Sequence, residues 1–274
     1  MRRFLLVSTI LLAGGCVSID EIPQAGGGSG SGFNTSVFPG LDAGAAQLDS
    51  VHFTVHAYGS EATKQISDAA EADYNRIMMD TNLYSFVPSQ PYQIWVYSGP
   101  DEYHQKTQQP GWSGGATVGN SIYLYVGPNL GRTLAHEMTH VIFNEFMGKF
   151  NPEQRWVNEG LAVYEEQKAA GSLNGGAGDM FGGIRPALLT QAIPMGQMIS
   201  LSPATHEQYT VSLWYCESES MIHFMIDKGT RLGFSQFLTQ LQQGQNFDHA
   251  IGVAFPAGWR DLNDFYLGWQ QHLK

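Results

Sequence analysis

One five-residue run, His136-Glu137-Met138-Thr139-His140, restricts this 274-residue chain more than any other feature. On a helix, positions i and i+4 share a face, so both histidines can reach a single ion. Neutral imidazole suits Zn²⁺, which takes nitrogen, sulfur or oxygen donors in tetrahedral geometry. Glu137 sits beside the first histidine and can lean over a metal without binding it, which is where a general base for a metal-activated water belongs. Leu134, Met138, Val141 and Ile142 give the same stretch an apolar side, so the predicted helix is a buried one. The motif alone is suggestive, and a second segment makes it specific.

That segment is Trp156-Val157-Asn158-Glu159-Gly160-Leu161-Ala162-Val163-Tyr164, and 18 residues separate His140 from Glu159. His-Glu-x-x-His followed at this distance by Asn-Glu-Gly resembles the gluzincin metallopeptidases. The form is closest to the aminopeptidase N family and the smaller bacterial peptidase MA-like domains. The resemblance is close over residues 130–166 and looser over 50–274. It implies a zincin-like fold and one Zn²⁺ per chain, held by His136, His140 and Glu159. It also implies Glu137 as general base and later proton donor, and a peptide or protein as substrate. Three protein ligands leave a fourth position for water, as catalytic zinc requires.

Glu166 lies seven residues past Glu159, two turns along one helix face. It can fix the tautomer of a ligand imidazole, or it can be a solvated carboxylate beside Glu165. Aminopeptidase-like relatives stabilise the oxyanion with a tyrosine on a later helix. The segment from Trp214 to Phe224 resembles that helix, which carries the role to Tyr215, with Tyr209, His206 and His223 as alternatives. The resemblance also makes the strand 121–126 the sheet edge on which an extended peptide is laid. Here the chain departs from the aminopeptidases: Gly115-Ala116-Thr117-Val118-Gly119-Asn120 holds no acidic residue to grip a free amine. That favours an endopeptidase, or an exopeptidase with another anchor.

Around these motifs the expected class is α+β, a small N-terminal sheet packed on a mostly helical C-terminal part. Strands are expected at 51–57, 93–97 and 121–126, and a helix at 60–79. Residues 108–120 are Gly-rich and read as loop. Helices are expected at 130–147, 153–168, 208–228, 233–242 and 259–272, with an irregular excursion over 171–205. His52 and His56 share a strand face by the period-two rule, although a second metal site there is the less favoured reading. Cys216 reads as a small buried hydrophobe, and Trp112 as a loop aromatic that either lines a cleft or is simply exposed.

The N-terminus carries a different message. Arg2 and Arg3 precede an apolar run from Phe4 to Ala13, then Gly14, Gly15 and Cys16. This is the layout of a secretory signal, and Ala13-Gly14-Gly15-Cys16 resembles a bacterial lipobox, which implies acylation at Cys16. The expected layout is a signal over 1–15, a Gly/Ser-rich tether over 16–49 and a single domain over 50–274. The location implied is the cell envelope, at the outer membrane in a Gram-negative cell, with contact to the membrane only through the lipid. Losing Arg2 and Arg3 takes the formal charge from −11 to −13. An acidic chain of this kind lacks the basic clusters that nucleic-acid binding needs. A non-catalytic zinc-binding scaffold, or an envelope-assembly lipoprotein keeping the fold, is the alternative function. The presence of Glu137 counts against it.

Overall fold

In the computed structural model the described residues are 17–18, 38–169, 173, 179–202 and 207–274. The signal region 1–15, Cys16, the glycine run 26–32 and His206 lie outside them. The elements in order are β1 (Val17–Ser18), β2 (Ala45–Asp49), β3 (Phe53–Tyr58), α1 (Ser60–Thr81), β4 (Tyr92–Tyr97), α2 (Pro100–Thr107), β5 (Gly115–Val118), β6 (Ser121–Tyr125), α3 (Leu130–Met147) and α4 (Arg155–Lys168). Two short helices follow, α5 (Leu188–Gln191) and α6 (Met195–Ser200). The long α7 (Gln208–Gln242), α8 (Phe247–Ala254) and α9 (Leu262–His272) complete the chain. The class is α+β, an N-terminal sheet followed by a mostly helical remainder, as the order of patterns in the sequence implies.

The strand order is β1-β5-β6-β4-β3-β2. Strands β3, β4 and β6 run parallel to one another, while β2 runs antiparallel to β3, β5 runs antiparallel to β6, and β1 pairs in parallel with β5. A parallel pair needs a crossover, and α1 supplies it between β3 and β4. Alternation sends Phe53, Val55, Ala57, Tyr92, Ile94 and Val96 into the main core beneath α1 and α3. The opposite face is closed by a smaller aromatic cluster of Tyr97, Tyr103 and Tyr123, with Phe38 and Leu41 against it.

Several expectations need correcting. The sequence puts the end of the tether at residue 49, yet Ala45–Asp49 pairs with Thr54–Tyr58 of β3. Phe38 and Leu41 are already packed, Tyr97 Oη donates to the Pro39 carbonyl at 2.7 Å, and Lys106 reaches Asp42 at 2.8 Å. The glycines that suggest a linker lie upstream of this packed arm. The stretch 108–120 is not all loop, because Gly115–Val118 forms β5. Gly119, at φ +58°, and Asn120 make a two-residue turn between Val118 and Ser121, the geometry of a tight hairpin. It follows that strand 121–126 is not the sheet edge. β6 lies between β5 and β4, and β5 is outermost apart from the two-residue β1. The excursion 171–205 contains α5 and α6. The expected break near residue 230 is present, since Thr230 has φ 70° and ψ 154° inside α7. Among the described residues no helix is long and apolar enough to cross a membrane.

Candidate metal centre

The site begins with α3, which is enclosed on almost every side. Leu134 to Phe143 are all buried, and the helix stops where Gly148 turns left-handed at φ 68°, its N–H bonding the Asn144 carbonyl. α4 lies against α3, and α7 covers α4. Gly160 makes that second packing possible: a Cβ there would stand 2.6 Å from the Ser218 carbonyl oxygen and 2.9 Å from the Ile222 side chain. The glycine brings the α4 backbone down onto α7 and leaves the preceding Glu159 facing α3.

His136, His140 and Glu159 meet there, all buried, each offering one ligand atom within 4.8 Å of the others. Glu159 Oε2 is 3.6 Å from His136 Nε2 and 3.5 Å from His140 Nε2. The other ring nitrogens are engaged. His136 Nδ1 pairs with Glu166 Oε2 at 2.8 Å, and His140 Nδ1 pairs with Asn158 Oδ1 at 2.9 Å. Both partner atoms are acceptors, so each Nδ1 carries the proton and each Nε2 turns a lone pair to the middle of the cluster. His140 Nε2 and Glu159 Oε2 are buried and make no hydrogen bond within the described residues. Buried polar atoms are normally paired, so two converging ones fit a cation-binding donor set. Two imidazole nitrogens and a carboxylate oxygen are a donor set that could hold a metal ion such as zinc. With no cation bound, burial raises the Glu159 carboxyl, but the positive charge of His140 and His136 in their protonated forms outweighs it and holds the group below its ordinary range.

Glu137 is fully buried one residue along α3. Its Oε2 accepts a hydrogen bond from Thr117 Oγ1 at 2.6 Å, while its Oε1 has no hydrogen-bond partner within the described residues. The carboxylate is thus pinned by one oxygen only.

The later candidates separate by position. Tyr215 is half-buried on α7, edge-on to Trp214 with ring centroids 5.1 Å apart. It precedes Ser218 and Ile222 by three and seven residues, so it shares the α7 face that meets Gly160, about one turn nearer the start of the helix. Tyr209 is exposed and donates to Gln191 Oε1 at 3.0 Å. His223 is exposed and opens onto a surface groove with Asp227 and His272 that none of His136, His140 and Glu159 lines. His52 bonds Glu71 and His56 stacks on Trp95, so those two are engaged separately. Cys216 is buried, and burial pushes its thiol up to about 12. Trp112 is exposed.

Two contacts of the site have no counterpart in the sequence reading. Asn158 was visible as part of Asn-Glu-Gly, but nothing in its position says that it faces the second histidine. Thr117 lies 20 residues from Glu137 on a strand taken for loop, and the only available signal was the Gly-Asn turn that follows it.

A search of the curated proteins found no match to this chain. The family model described as the Peptidase MA superfamily matches residues 69–274, a span that holds α3, α4 and the whole buried cluster. The chain belongs to the Peptidase MA superfamily.

Proposed function

We propose that this protein is a zinc-dependent peptidase of the gluzincin type, related to the aminopeptidase N family and held outside the cytoplasm by a lipid on Cys16. The observation that carries the reading is the buried convergence of His136, His140 and Glu159, with both histidine Nδ1 atoms engaged by acceptors and Glu137 Oε1 left unbonded alongside. Zinc bound there would supply a Lewis acid and bring a water molecule near neutral pKa.

The chain's own residues then do the rest. Glu137 Oε1 takes a proton from the attacking water and later gives it to the departing amine, a role that contributes on the order of 10²–10⁴ in rate. Glu166 and Asn158 hold the imidazoles in the tautomer that presents Nε2. Tyr215, on the α7 face turned to α4, donates to the oxygen that gains charge when water adds to the carbonyl. An extended peptide that takes the place of β1, which pairs with Ala116 and Thr117, would add as a strand to β5 beside Glu137. No acidic side chain stands in β5 to take a free amine, which supports internal cleavage.

Removing zinc with a chelator should abolish peptide cleavage, and adding back one equivalent should restore it. Activity that survives full metal removal would refute the zinc mechanism. The anchor is tested separately: palmitate labelling should be lost in Cys16→Ser, and labelling that persists would refute acylation at that residue.

A further inference from the structure

We propose that Thr117 is a positioning residue for Glu137: its hydroxyl holds one carboxylate oxygen so that the other faces the metal-binding atoms. This rests on the reading of Glu137 as the base. A glutamate is long and carries about 2 kcal/mol of rotamer freedom at most, which a buried base must lose to be held in one pose. At Glu137 that restraint comes from outside its own helix. Thr117 Oγ1 lies 2.6 Å from Oε2 and 3.2 Å from the Glu137 carbonyl oxygen, and both side chains are buried. A hydrogen bond to an ionised acceptor is roughly twice as strong as a neutral one, so the hydroxyl proton goes to the carboxylate.

The strand is built to deliver this contact. Gly115 and Thr117 are two apart and therefore share a face of β5, the face turned to α3. A Cβ on Gly115 would come within 2.9 Å of Thr133 Cγ2 and 3.0 Å of Glu137 Cγ. Glycine thus lets β5 approach α3, and threonine, next on that face, uses the approach. The same strand that would carry substrate main chain also sets the pose of the base, so substrate register and base are referred to one element.

The test compares Thr117→Val, which keeps the shape and removes the hydroxyl, with Thr117→Ser, which keeps the hydroxyl, both on the full zinc-loaded chain. Thr117→Val should lower kcat by about 10–100-fold, with KM and zinc content within about twofold of the parent. Thr117→Ser should stay within about threefold of the parent. Adding Thr117→Val to Glu137→Gln should cost nothing further, because the group being positioned is already gone. Equal losses in the serine and valine variants, loss of zinc, or an undiminished effect in the Glu137→Gln background would overturn the proposal. If the parent cleaves no better than Glu137→Gln, the peptidase reading fails. A crystal structure of Thr117→Val then decides the positioning role by itself. Glu137 spread over more than one rotamer supports it, and Glu137 unmoved refutes it.

Discussion

His136 and His140 are each fixed through Nδ1 by an acceptor from outside the His136, His140 and Glu159 cluster, and this has a measurable consequence. Glu166→Ala should weaken zinc binding by about 10–100-fold while leaving the fold intact, as competition with a chromogenic chelator can report. Glu217, bonded to the Ile193 N–H, provides a second test. It is fully buried, and burial raises its carboxyl from 4.5 to about 8 although the Ile193 N–H bonds it at 2.8 Å. The folded chain therefore holds a proton that the unfolded chain has lost over this range, so stability falls as pH rises from about 4.5 to about 8. Glu217→Gln should raise the melting temperature at pH 8 and change it little at pH 5. An equal shift at both values would contradict the assignment. The buried His136, His140 and Glu159 cluster is legible because two spacings, i to i+4 and 18 residues, are properties of the chain itself. Asn158 and Thr117 are not, since a hydrogen-bond partner depends on which elements meet, and no spacing encodes that.

Helices α4 and α7 meet through Gly160, and strand β5 meets α3 through Gly115, so both walls of the site depend on a missing Cβ. Gly160→Ala adds a methyl 2.6 Å from a main-chain oxygen that cannot rotate away. Overpacking of this kind costs about 1–3 kcal/mol and outweighs the helix propensity gained from alanine. Urea denaturation should show a lower midpoint, and because Glu159 is adjacent, zinc should bind less tightly too. The same glycines explain what was hard to read. β5 looked like loop because Gly115 and Gly119 depress strand character, although one serves packing and the other serves the turn. Long periodic segments such as α3 and α4 were legible because burial of one face imprints a period on the sequence. The short α8 escaped because its eight residues are too few to show one.

Beyond the site, buried charges tie three helices together. Asp80 on α1 takes Lys168 from α4 and Arg231 from α7, while Arg76 spans Asp73 and Glu165. Asp80 and Glu165 are fully buried, and burial lifts the Glu165 carboxyl to about 7 against the pull of Arg76. Arg76→Leu leaves two buried carboxylates without their cation, which should cost about 3–5 kcal/mol by chemical denaturation. A cost under 1 kcal/mol would mean that the network adds nothing. These contacts fix α1, α4 and α7 as one frame around the metal centre. The packed arm from Phe38 onward covers the other face of the sheet.

As proposed above, Glu137 performs chemistry at a zinc centre formed by His136, His140 and Glu159. The most direct test of that role is peptide-library cleavage read by mass spectrometry, run on the parent and on Glu137→Gln, with zinc quantified in the same samples. Both proteins should carry about one zinc per chain, the parent should cleave, and the variant should lose at least about 100-fold in rate. Equal cleavage by the two proteins, or no cleavage by a parent carrying full zinc, would contradict that role.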